Sequence, residues 1–224
     1  MKSLKRYIQE KLIIKKNKYN YFPKTKEELK DIIKQRITTE GDEVDLNDID
    51  VSNITDMSRL FEDLDFNGNI SAWDVSNVIN MRGMFMGCTK FNQDISTWKV
   101  SNVTNMRGMF MGCIKFNTDI SAWDVSKVNN MRSMFSVCES FNQDISSWDV
   151  SNVTDMHGMF MRCKKFNQDI SKWDVSKVYS MEFMFYGCTK FNQDISIWDV
   201  SKVNITYRMF DNCQIEEKYK PSFK

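Results

Sequence analysis

A 25-residue unit repeated six times without a gap constrains this chain more than any other feature. The phenylalanine that opens each unit falls at Phe66, Phe91, Phe116, Phe141, Phe166 and Phe191. All six tryptophans keep the same register, from Trp73 to Trp198, and so do all six cysteines, from Cys88 to Cys213. A fixed period of this size means that one unit cannot bury its apolar face until a neighbour stacks on it. The sequence therefore predicts an α/β repeat solenoid, with one short strand and one short helix or helical turn in each coil. Val103, Met106, Met109, Phe110 and Cys113 are spaced 3, 3, 1 and 3 apart, which suits one face of a helix. Phe91 to Val100 places Ile95, Trp98 and Val100 among Asn, Asp and Ser, which suits a short strand with turns.

Four regions follow along the chain. Residues 1–22 form a basic amphipathic arm, in which Leu4, Ile8 and Leu12 predict a helix over 3–16. Residues 23–43 form a helical cap. Thr25 and Glu28 make a capping box, Leu29, Ile32, Ile33 and Ile37 line one face, and Gly41 ends it. Residues 44–214 are the repeat array, which starts with a degenerate coil: residues 46–61 align with residues 70–85. Residues 215–224 are a short tail.

Charge is unevenly divided. Residues 1–40 hold 12 Lys and Arg against 5 Asp and Glu, a net +7, although the whole chain is only +1. The remaining body is therefore −6. The arm either meets an anionic partner or folds back on the acidic repeats. Residues 1–20 lack an apolar core and a small-residue cleavage site, and no lipidation motif is seen. No run of about 18 apolar residues occurs. The expected location is thus cytoplasmic or virion-associated, with no membrane span.

The chemistry-bearing residues argue against catalysis. His157 is the only histidine, and its repeat position is elsewhere Arg82, Arg107, Arg132 and Glu182. A position that accepts Arg, Glu and His is a solvated face. No Ser-His-Asp or Cys-His set can be assembled, and no glycine-rich phosphate loop appears. The six cysteines form one column, read as reduced, buried thiols rather than bridges or zinc ligands. Asn67 to Asn192 read as inter-coil hydrogen-bonding groups. Asp94 to Asp194 form a column of like charges whose oxygens suit calcium, but the spacing of calcium-binding repeats is missing. No cofactor and no metal are predicted.

Residues 84–106, "MFMGCTKFNQDISTWKVSNVTNM", resemble the BspA-like leucine-rich-repeat surface-protein family, and the likeness covers about residues 44–213. The resemblance implies a leucine-rich-repeat-like, right-handed solenoid and an adhesive or interaction role. This chain differs from surface-exposed members in lacking a secretion signal and a lipidation cysteine. The expected function is a non-catalytic protein-interaction solenoid. The alternative is a structural component of a larger particle, such as a phage virion, docked through the arm. The candidate interaction surface is the row Met86, Met111, Met161 and Tyr186, flanked by Arg82, Arg107 and Arg132. A protein partner is expected, nucleic acid is not, and self-association through the C-terminal coil is the further possibility.

Overall fold

The computed structural model describes residues 18–223. The helix expected over 3–16 lies outside the described residues. Among those described there is one α-helix, α1 (Lys26–Glu40), and one 3-10 turn at Glu217–Tyr219. Nearly everything else is turn and bend. Among the described residues parallel pairing is confined to isolated bridges, most of them one repeat apart, such as Asn80 with Asn105 and Asn105 with Asn130. The expectation of an α/β solenoid with a strand and a helix in each coil is therefore overturned.

The reason lies in the backbone of residues 106–113 and their equivalents. Gly108 and Gly112 are left-handed, with φ of +60° and +80°. One coil later Ser133 and Val137 hold the same conformation, at +56° and +63°. A left-handed residue every four positions cannot continue an α-helix, and side chains other than glycine enter this region at a cost. The segment instead alternates two kinds of bond. The N–H groups of Met109, Met111 and Cys113 donate three residues back, to the carbonyls of Met106, Gly108 and Phe110, at 2.9–3.1 Å. Those of Met106, Gly108, Phe110 and Gly112 donate forward, to the carbonyls of Asn130, Arg132, Met134 and Ser136 in the next coil, at 2.8–3.1 Å. Backbone donors are thus satisfied without helix or strand.

The half expected to be a strand is a chain of side-chain-stapled turns. Asp94 accepts the N–H of Ser96 at 2.9 Å, and Trp98 N–H donates to the Ile95 carbonyl at 3.1 Å. Neighbouring coils are tied by Asn67 Oδ1, which accepts the N–H of Asn92 at 2.9 Å. Trp98 Nε1–H reaches back to the Ile70 carbonyl at 3.2 Å. Asn and Asp favour such local bonding over a regular ladder.

The inward side chains form stacked columns. Phe110 lies 5.7 Å from Phe85 and 5.8 Å from Phe135, nearly parallel to both. Within one coil Phe110 stacks on Phe116 at 4.0 Å. Every inward Val, Met, Phe, Ile and Cys between Phe61 and Ile195 is essentially inaccessible to solvent. At Gly68 a side chain is excluded outright, since a Cβ there would stand 2.1 Å from the Val44 carbonyl oxygen.

The two ends differ. Thr25 Oγ1 accepts the N–H of Glu28 at 3.1 Å and starts α1. The helix buries Leu29 and Ile33 fully. Its Lys26 donates to Asp56 at 2.8 Å and to Ser58, and Lys30 donates to the Arg59 carbonyl at 3.1 Å. The first coil is therefore covered. Residues just before α1 also join the body, because Tyr21 bridges to Ile49. At the other end the tail bonds the opposite side of the last coil, through Ile195 N–H to the Tyr219 carbonyl at 3.0 Å. Among the described residues, the forward-pointing N–H groups of Thr206, Arg208, Phe210 and Asn212 have no backbone acceptor.

Candidate interaction surface

Inward and outward positions alternate along the turn run. In the second coil Met81, Met84, Phe85 and Cys88 point into the core, which leaves Arg82 and Met86 partly exposed. Successive coils superpose these positions. Arg82, Gly83 and Met86 from one coil, with Arg107, Gly108 and Met111 from the next, line a narrow cleft of about 120 Å³ that Arg59 and Ser133 complete. Four of the seven residues expected in the interaction surface therefore meet here: Arg82, Arg107, Met86 and Met111.

The other three do not join them. The position between Met111 and Met161 is Ser136, which is buried, so the apolar row is interrupted. Met161 is half-buried beyond the gap. Arg132 turns toward Asp155, with Nη1 3.7 Å from Oδ2. Tyr186 packs under the Arg208 guanidinium at 4.9 Å and beside Phe183. It lines a separate depression with Arg162 and Lys164.

Arg59 and Ser133 were missed in the sequence. Arg59 belongs to the degenerate coil, where the offset is one residue short. Aligning residues 46–61 with residues 70–85 sets it opposite Gly83, and it takes the same left-handed conformation, φ +56°.

Electrostatics set this side apart. Positions 82–90 and their equivalents through residue 215 carry ten Lys and Arg against three Asp and Glu. Positions 66–77 and their equivalents through residue 202 carry ten Asp against five Lys. The degenerate first coil departs from this division, because residues 41–65 carry nine Asp and Glu against one Arg, with Glu62, Asp63 and Asp65 on the Arg-bearing side. Around the cleft, Arg59 pairs with Glu62 at 3.4 Å. Among the described residues no carboxylate stands within ion-pair distance of Arg82 or Arg107.

A family model matches residues 28–143 and, a second time, residues 117–221, so the two matches overlap within the repeats and together span the described body. The chain belongs to the family described as Mycoplasma protein of unknown function, DUF285. No curated protein and no solved structure matches it significantly. The double match to the DUF285 model is what a tandem array produces.

Elsewhere in this DUF285 chain the chemistry-bearing groups are engaged in holding the stack. His157 Nδ1 lies 3.1 Å from Glu182 Oε2, edge-on to Phe183, with no nucleophile paired to it. The cysteines are free of bridges. Cys138 Sγ–H donates to the Phe110 carbonyl at 2.9 Å. Burial pushes the Cys88 thiol up to about 12 and raises the others too. Buried thiols of this kind are inert. Among the described residues no cluster of His, Cys, Asp or Glu is placed to hold a metal ion. An open depression of about 580 Å³ lies along Asn77, Ile79, Asn102 and Lys127. Its amides already donate to neighbouring carbonyls, as Asn102 does to Ser76 at 2.8 Å. Among the described residues, no helix is long and apolar enough to cross a membrane.

The aspartate columns carry a pH dependence. Hydrogen bonds from Ser96 hold the Asp94 carboxyl below its ordinary value of 3.8, and Ser126 and Ser176 do the same for Asp124 and Asp174. A folded value below the unfolded one stabilises the protein at pH above the unfolded value, and that contribution disappears as pH falls through the folded value. The melting temperature should therefore be lower at pH about 3 than at pH about 5. Equal melting temperatures in a calorimetric comparison would mean that these turns add nothing to stability.

Proposed function

We propose that this chain is a non-catalytic interaction protein that binds a protein partner on the Arg- and Met-bearing side of its stacked repeats. The observation that carries the reading is the cleft shared by Arg82, Arg107, Met86 and Met111. There the outward side chains are not consumed by bonds between coils. Partly buried methionines beside guanidinium groups suit an adaptable protein contact, since the thioether packs against irregular surfaces and Arg is enriched in interfaces. The resemblance of residues 84–106 to BspA-like repeats, a family with interaction roles, points the same way.

A photo-crosslinking amino acid in place of Met111 tests this in extracts of the native host. The expected result is an adduct of discrete mass at position 111 and none when the same group replaces Ala122, which is exposed on the Asp-bearing side. Equal adducts at both positions, or none at either, would overturn the reading.

A second reading, a structural part of a larger particle, is favoured by the open N–H groups of the last coil, which invite a further layer. Docking through the arm of residues 1–22 falls mostly outside the described residues, which begin at residue 18. Light scattering on the purified chain separates the two: a concentration-dependent assembly supports the structural reading, and a monomer supports the first.

A further inference from the structure

We infer that the cleft between Arg82 and Arg107 recognises an extended acidic peptide segment whose carboxylates fall on alternate residues. This deepens the proposal of a protein-binding side and rests on it.

Size, charge and spacing carry the inference together. A cleft of about 120 Å³ admits side-chain groups, not a folded domain or a nucleobase pair. Its rim holds three arginines from three successive coils. Arg59 is partly satisfied by Glu62, whereas among the described residues no carboxylate stands within ion-pair distance of Arg82 or Arg107. Guanidinium groups bind carboxylates through two parallel N–H bonds, and this planar fork makes Arg selective for them. In the two coils that carry Arg82 and Arg107, the Phe85 and Phe110 ring centroids stand 5.7 Å apart. Side chains on the same face of an extended strand recur about every 6.7 Å. An alternating acidic segment running along the stack therefore presents one carboxylate to each coil. Met86 and Met111 supply apolar contact for the methylene stems between them.

A single-stranded nucleic acid would also bring regular anionic charge. Binding of that kind needs aromatic platforms for the bases. The cleft lining is Arg, Gly, Met and Ser, with no aromatic ring. The peptide is thus the favoured ligand, and the oligonucleotide becomes an outcome of the test.

The probe is a fluorescein-labelled peptide of alternating Glu and Thr, about twelve residues long, read by anisotropy at about 50 mM salt, where exposed charges are least screened. The intact chain should bind it. Replacing both guanidinium groups, Arg82→Gln with Arg107→Gln, should weaken binding by about tenfold or more. Arg107→Glu alone, at an exposed side chain, should do the same without risk to the core. Lys164→Gln with Lys190→Gln removes equal charge on the same side but outside the cleft, and should change binding by less than about twofold. Circular dichroism confirms that each variant is folded. Four results overturn the inference: no binding, equal loss in the two double variants, equal binding of a peptide with its Glu residues in one block, or tighter binding of an oligothymidylate. If the peptide fails while the crosslink at position 111 forms, the partner is a protein of other chemistry and the broader proposal stands.

Discussion

Trp123→Ala should lower stability by about 3–5 kcal/mol, the range for truncating a large buried aromatic. Trp123 is only 3% exposed and lies in the middle of the array. Its ring sits 6.2 Å from Phe110, and its Nε1–H donates to the Ile95 carbonyl at 3.1 Å. Truncation opens a cavity and removes one of the two donors to that carbonyl, which keeps the backbone N–H of Trp98 at 3.1 Å. For a chain of this length each kcal/mol moves the melting temperature by about 2–4 °C, so a fall of about 10 °C is expected. Because each coil leans only on its neighbours, the loss should weaken both halves of the stack. Denaturant and thermal unfolding check it. A curve that coincides with the parent would show that the tryptophan column is not a structural element.

Hydrogen exchange should divide one chemical position into two classes. Phe110 and Gly112 donate forward to Met134 and Ser136, at 3.0 and 2.8 Å. Phe210 and Asn212 are their equivalents in the last coil and have no such acceptor among the described residues. Central amides open only with large parts of the stack, so they should exchange slower than the terminal ones by about four orders of magnitude, as a global stability above about 5 kcal/mol implies. Mass spectrometry of peptides covering 106–113 and 206–213 reads this directly. Equal protection in a proven monomer would mean that Lys220, which stands over the Phe210 ring at 5.4 Å, and the rest of the tail seal that end.

The columns were legible in the sequence because a fixed period places identical side chains above one another. Phe, Trp, Met, Val and Cys all point inward as their register implies. The local backbone was misread for a definite reason. The spacing of Val103, Met106, Met109, Phe110 and Cys113 is met equally by a helix and by consecutive turns that bond three residues back. The signal that separates them was present: Gly83 with Gly87, and Gly108 with Gly112, recur four apart inside the supposed helix. Glycine repeated there marks left-handed residues rather than helix packing. Similarly, Asp-x-Ser at 94–96 and 119–121 is a turn signature that competes with a strand. Within the candidate surface, Arg82, Arg107, Met86 and Met111 were legible as a row. The break at Ser136 was visible as a residue, but the inward placement of that side chain was not.

The forward direction of the inter-coil bonds has an electrical consequence. Each coil from Met57 to Gly187 sends four N–H groups toward the next, while fewer backbone N–H groups, such as that of Thr104 to the Ile79 carbonyl, point back. Aligned peptide dipoles add, as they do along a helix axis. The stack therefore carries a net moment along its axis, with partial positive charge at the last coil and partial negative charge at the first. At the first coil the charge matches that polarity, since Lys30 of α1 donates to the Arg59 carbonyl. Every added repeat would lengthen this moment without altering its sign, so the molecule has a head and a tail before any partner arrives.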